Sequence, residues 1–125
     1  MLHDILADYV KKIDDSLQRL QKVYVEAYET EILNPERVNI RIRLRYSNGF
    51  LLELNEAVYI NSRQLAFLGY RYHFQDEKNN LIFRYDNTPH FPDLESFPDH
   101  KHTEAAVISS QKPSIIEVIY EATET

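Results

Sequence analysis

The chain has no cysteine, no tryptophan and only two glycines. Without cysteine there are no disulfides and no thiolate metal ligands, and a reducing compartment is permitted. Two glycines leave few positions that can need positive φ and cannot build a phosphate-cradling loop. No nucleophile-elbow motif surrounds Ser96, Ser109 or Ser110, so a serine nucleophile is not supported. No apolar run approaches the roughly 20 residues of a membrane span. The acids within MLHDILADYVKK interrupt the apolar stretch that a signal peptide requires. A cytoplasmic protein without a membrane partner is therefore expected. What is present suits one domain, residues 1–125, with 43% hydrophobic residues and nine Tyr and six Phe for core bulk.

The net charge of −6 is unevenly spread. Residues 1–36 hold 4 Lys/Arg against 8 Asp/Glu, residues 37–86 hold 8 against 5, and residues 87–125 hold 2 against 7. Acidic ends argue against non-specific nucleic-acid binding by the whole surface. A basic centre leaves room for one local anion site.

Leu2, Ile5, Leu6, Tyr9, Ile13, Leu17, Leu20, Tyr24 and Ala27 recur at helical spacing, which predicts one long helix from about Leu2 to Tyr28 ended by Asn34-Pro35. From Val38 the period becomes two, with Ile40, Ile42 and Leu44 on one side and Arg41, Arg43 and Arg45 on the other. A three-residue turn, Ser47-Asn48-Gly49, sets Arg43 opposite Glu53, Leu44 opposite Leu52 and Ile42 opposite Leu54. A second hairpin turning around Glu77-Lys78 pairs Phe74 with Leu81, Tyr72 with Phe83, Tyr70 with Tyr85 and Arg71 with Arg84. Leu65 to Leu68 extend its first strand backward, with a bulge at Gly69. A short strand is expected near Ala105–Ile108. Ser114 and Glu117 have capping-box spacing for a short terminal helix. The predicted fold is α+β: a long N-terminal helix, a four- to five-stranded antiparallel sheet, a His/Pro-rich loop and a short C-terminal helix.

Two constellations carry chemistry. The first is a basic face of Arg41, Arg43, Arg45, Arg71 and Arg84 with His73, since guanidinium forks match phosphate geometry. For the first three, an arginine–acid ladder with Glu53 and neighbouring acids is the plainer account. The second is the stretch Phe83–His102, with three histidines and three prolines. Histidine exchanges protons near neutral pH, and proline stiffens the loop that carries it. His100 and His102, two apart, point the same way in a strand, about 6–7 Å apart by strand rise. They suit a base and an acid acting on a phosphodiester, with arginine stabilising the transition state. His-x-His also binds metals, and Asp86, Asp93 or Asp99 would complete such a set. No ligand motif of fixed spacing is present, so neither a metal nor another cofactor is expected, and activity is expected to survive chelation.

The stretch from Tyr70 to His102 closely resembles the signature of the TumE family, small bacterial proteins assigned as toxins of toxin–antitoxin modules. The family pattern runs Y-x-Y-x-x-Q, then L-I-F-R-Y-D-N-x-P-H-H-P, then F-P-H-H-K-H. Tyr70, Tyr72, Gln75, Leu81, Ile82, Phe83, Arg84, Tyr85, Asp86, Asn87, Pro89, His90 and Pro92 match it, as do Phe97, Pro98, His100, Lys101 and His102. It departs at Phe91 and Asp99, so the family histidines at those places are dispensable if this chain is active.

The resemblance implies a toxin with a cognate antitoxin. By analogy with other small toxins, RNA cleavage is the expected activity. His90, His100 and His102 would transfer protons with Arg84 at the phosphate. Arg71, His73, Tyr85, Asp86, Asn87 and Lys101 would bind substrate. RNA or the ribosome is the expected target, and self-association into a homodimer is left open. The alternative is a non-catalytic toxin that blocks an anionic nucleic-acid or ribosomal target.

Overall fold

The computed structural model describes Met1–Thr125. Helix α1 spans Asp4–Gln18 and is followed by seven strands: β1 (Val23–Asn34), β2 (Arg37–Tyr46), β3 (Leu51–Asn61), β4 (Gln64–Gln75), β5 (Leu81–Asp86), β6 (His100–Thr103) and β7 (Val107–Ser109). Helix α2 spans Ile115–Thr123. Each strand pairs antiparallel with the next, so the spatial order equals the chain order.

This overturns the expected architecture. The protein is mostly a seven-stranded antiparallel sheet with two short helices, and the N-terminal helix stops at Gln18. The apolar positions Leu20, Tyr24 and Ala27 fit a helical period by coincidence. The segment also holds Val23, Val25, Thr30 and Ile32, whose branched side chains favour a pleated strand. Lys22, with φ of 62°, separates helix from strand. Pairing settles the choice, because Glu26 and Glu29 meet the arginines of β2. Arg43 Nε and Arg45 Nε lie 2.9 and 3.0 Å from Glu26 oxygens, and Arg41 is 3.6 Å from Glu29.

The first hairpin has the expected register, with Arg43 opposite Glu53, Leu44 opposite Leu52 and Ile42 opposite Leu54. Gly49 takes φ of 90° at the turn. The second hairpin does not. Phe74 faces Phe83, Tyr72 faces Tyr85, His73 faces Arg84 and Arg71 faces Asp86. Its turn is held by Asp76, whose Oδ1 accepts from the backbone N–H of Lys78 and Asn80, both at 2.9 Å. Asn79 supplies the left-handed residue at φ of 68°. The ladder of β3 and β4 skips Leu68, beside Gly69, which is the bulge the sequence suggests.

One face of the sheet is apolar and covered. Val38, Ile40, Ile42, Leu44, Leu52, Leu54, Val58, Tyr72, Phe74 and Phe83 are buried there together with Leu6, Ile13 and Leu17 of α1 and Ile115, Val118 and Ile119 of α2. Ser114 caps α2 through the expected box with Glu117. Because side chains alternate along a strand, the intervening residues all fall on the uncovered face. That face carries the arginines, the strand histidines and every strand acid that pairs with them, Glu26, Glu29, Glu53 and Asp86. No helix is long and apolar enough to cross a membrane.

Candidate functional site

At the β5–β6 end of the uncovered face, register brings a carboxylate and two imidazoles together. Asp86 lies opposite His100, and Arg84 lies opposite His102. His100 and His102 are two apart on β6, so both rings stand on the same side of the sheet as Asp86. His100 Nε2 is 2.8 Å from Asp86 Oδ1, and His102 Nε2 is 3.5 Å from Asp86 Oδ2. The two Nε2 atoms are 3.1 Å apart. Arg84 Nε is 3.3 Å from Asp86 Oδ2, and the backbone N–H of Thr88 donates to Asp86 Oδ1 at 3.1 Å.

His100 is 1% exposed. Its other ring nitrogen, Nδ1, donates to the Pro98 carbonyl at 2.9 Å. The Phe91 ring seals the cluster edge-on, with its centroid 5.0 Å from that of His100 and 5.8 Å from that of His102. Burial, with a lesser push from Arg84, holds the His102 imidazole below its ordinary pKa and favours the neutral ring. The open side of the cluster is a cleft of about 440 Å³ lined by Arg71, Arg84, Asp86, Thr88, His90, Phe91, His100 and His102.

The structure thus gathers Arg71, Arg84, Asp86, His90, His100 and His102 in one cleft. His90 is exposed at its mouth and Arg71 at its rim. His73 is on the same face, one strand in. Its Nε2 contacts Gln75 Oε1 at 2.9 Å, and burial together with the Arg71 and Arg84 guanidiniums holds its pKa below the usual imidazole range. Asn87 serves the backbone: its Oδ1 accepts from the Tyr70 N–H at 3.2 Å. Tyr85 and Lys101 point to the covered face. Both contact Glu121 of α2, at 2.6 and 2.7 Å, so neither lines the cleft. Arg41, Arg43 and Arg45 form the ladder with Glu26, Glu29 and Glu53.

Two expectations change. Strand spacing separates His100 and His102 at the backbone, but their rings lean together to 3.1 Å at Nε2. Two atoms so close cannot flank a phosphorus as opposed base and acid. Arg71 and Arg84 are diagonal neighbours with Asp86 between them, not a directly opposed like-charged pair.

The sequence also conceals a second polar centre, on the covered face. Glu56 occupies an inward register position between Leu54 and Val58 and is 4% exposed. It accepts from the hydroxyls of Tyr9 and Tyr72, and Lys112 Nζ lies 3.7 Å from it. An acid at a core position of a period-two strand is the signal that marks it. Phe91, Thr88 and the Pro98 carbonyl, by contrast, join the site through the path of segment 87–99, which no periodicity reveals.

A family model described as toxin TumE matches residues 10–124. No curated protein and no solved structure matches the chain.

Proposed function

The chain belongs to the TumE toxin family, and on that premise we propose that it acts by cutting RNA in the cleft between β5, β6 and Phe91. A toxin of this family has an antitoxin as its partner. The observation that carries the cutting reading is the shared cleft: two arginines, a carboxylate and three histidines around about 440 Å³.

An RNA phosphodiester breaks when its 2′-oxygen attacks the adjacent phosphorus and the bond to the 5′-oxygen opens. The products are a cyclic phosphate and a free hydroxyl. One proton leaves the attacking hydroxyl and one reaches the departing oxygen. Arg71 and Arg84 supply fixed positive charge where the phosphoryl group becomes crowded with negative charge. His90, exposed at the mouth, is placed to give the departing oxygen its proton. Asp86, His100 and His102 act as one unit on the attacking side, because their polar atoms converge on one point rather than bracketing a substrate.

An antitoxin that lays an acidic segment across Arg71 and Arg84 would close the same cleft. The acidic ends of the toxin itself, residues 1–36 and 87–125, repel such a segment elsewhere. Arg41, Arg43 and Arg45 already have acids against them and offer it less.

One observation favours blocking without cleavage. A larger groove of about 610 Å³ continues from Arg71 and Thr88 across β4, β3 and β2 to Glu29 and Glu31, and holds no histidine. A strand or segment bound there would need no chemistry. Incubating purified protein with RNA separates the readings. The wild type should cut, and the His100→Ala/His102→Ala double variant should be slower by about 10²–10⁴-fold. Intact RNA with a wild-type sample that still arrests growth when expressed would leave the blocking reading standing.

A further inference from the structure

We infer that Asp86, His100 and His102 bind one divalent transition-metal ion of the manganese-to-zinc series through a carboxylate oxygen and the two Nε2 atoms. The sequence gives no fixed ligand spacing, because two ligands come from β6 and the third from β5. Register supplies what spacing does not. Asp86 and His100 are direct cross-strand partners, and His102 follows on the same side. The ligand atoms all lie within 4.8 Å of one another.

The separations match the edges of a coordination sphere. Ligands about 2.1 Å from an ion stand about 3.0 Å apart across an octahedral edge and about 3.4 Å across a tetrahedral one. His100 Nε2 lies 2.8 Å from Asp86 Oδ1 and 3.1 Å from His102 Nε2, both at such an edge, and His102 Nε2 lies 3.5 Å from the other carboxylate oxygen, Oδ2, so both oxygens of Asp86 face the imidazoles. Two imidazole nitrogens and a carboxylate that converge in this way call for a positive centre between them. A single hydrogen on one ring can be directed at only one neighbour at full strength, whereas an ion serves all three.

The groups that hold these side chains agree. Nδ1 of His100 donates to the Pro98 carbonyl, the outer hydrogen bond that leaves Nε2 with its lone pair inward. Asp86 is likewise held, by the Thr88 N–H. Phe91 closes one side. The cleft opens the other, which leaves coordination positions free, as in sites of two histidines and one carboxylate with open positions. Two imidazoles disfavour magnesium and calcium, which take oxygen ligands. No thiolate is present to demand a softer ion.

Arg84, 3.3 Å from Asp86, opposes the ion with its own charge. An anion in the cleft offsets that opposition, so phosphate and metal should each tighten the other. This use of the ion rests on the RNA-cutting reading. The binding of the ion does not.

The test uses full-length protein without a histidine tag, stripped with chelator and returned to chelator-free buffer. Calorimetry with Zn²⁺ or Mn²⁺, and the visible absorption of Co²⁺, should show one ion per chain. Mg²⁺ should give no comparable signal. His102→Ala should weaken binding by more than about tenfold, since even an outer partner of a ligand is worth about 10- to 100-fold. Asp86→Asn should do the same, provided circular dichroism shows it folded. His3→Gln, far away at the cap of α1, should bind as the wild type does. No binding at about 1 mM metal, or equal binding by wild type and His102→Ala, would overturn the site. Metal bound but RNA intact would retain the site and reject the cutting reading. RNA cut in excess chelator would keep the cutting reading and remove the ion from it, while calorimetry alone decides the site.

Discussion

Replacing His100 and His102 one at a time should separate the stability of this protein from its activity. His100 is 1% exposed, and its ring fills the space beneath Phe91. His100→Ala leaves a cavity there and removes the contacts to Asp86 at 2.8 Å and to the Pro98 carbonyl at 2.9 Å. Asp86 keeps Arg84 and the Thr88 N–H, so the full penalty of a stranded buried charge does not apply. Cavity and lost polar contact together should cost about 3 kcal/mol. His102 is half-buried and its contact with Asp86 is 3.5 Å, so His102→Ala should cost about 1 kcal/mol. The corresponding losses in melting temperature are about 10 °C and about 3 °C. Growth arrest should fall by orders of magnitude in both, because each change breaks the same cluster. Urea unfolding followed by tyrosine fluorescence, with chelator present so that no bound ion adds stability, reads the first quantity. Induced expression in cells reads the second. Equal destabilisation would show that His100 is not held as described. Full toxicity in His102→Ala would remove the cluster from the mechanism. Burial of His100 is what makes the first change costly to the fold and the second cheap.

Arg84→Ala should weaken RNA binding and flatten its salt dependence by about 0.7 in log–log slope, one phosphate contact on a single strand. It should lower stability slightly rather than raise it, because Arg84 faces Asp86, His73 and His102 and not a second arginine; an unchanged salt slope would remove it from the phosphate site. Stability should also fall on acidification. His73 and His102 have folded pKa values below the unfolded value of about 6.5, so the unfolded chain takes up their protons first. Their contribution is intact above that pH and is lost as pH drops through the folded values. The urea midpoint measured in chelator should fall between about pH 7.5 and 5.5, less steeply in His73→Gln, and a flat profile would contradict the shifts.

The parts of the fold that were legible are those fixed by neighbouring residues. Ser47-Asn48-Gly49 sets the first hairpin register, and Ser114 with Glu117 starts α2. Strand β1 was not legible, because its identity depends on the arginines of β2, which lie beyond the window in which a helical period is judged. The second hairpin is instructive in another way. Its predicted partners are wrong by two residues, since Asp76 and Asn79 build a turn that no glycine announced. A slip of two preserves which side each residue faces. Arg71 and Arg84 were therefore correctly placed on one face while Arg71 was given the wrong neighbour, whereas His100 and His102, expected in a loop, belong to strand β6. That wrong neighbour, Arg84 in place of Asp86, kept the carboxylate out of the centre of the predicted site.

The placement of the cluster on two adjacent strands limits how the gene can drift in length. Residues 87–99 leave β5 and return to β6, so the ladder tolerates additions or losses there as long as the two ends still meet. Within β6 no such freedom exists. One residue gained between His100 and His102 would turn one imidazole toward Glu121 and α2, and one residue lost after Arg84 would do the same to Asp86. Relatives should therefore vary freely in the length of the span between the two strands, while keeping the single-residue step from one histidine to the next.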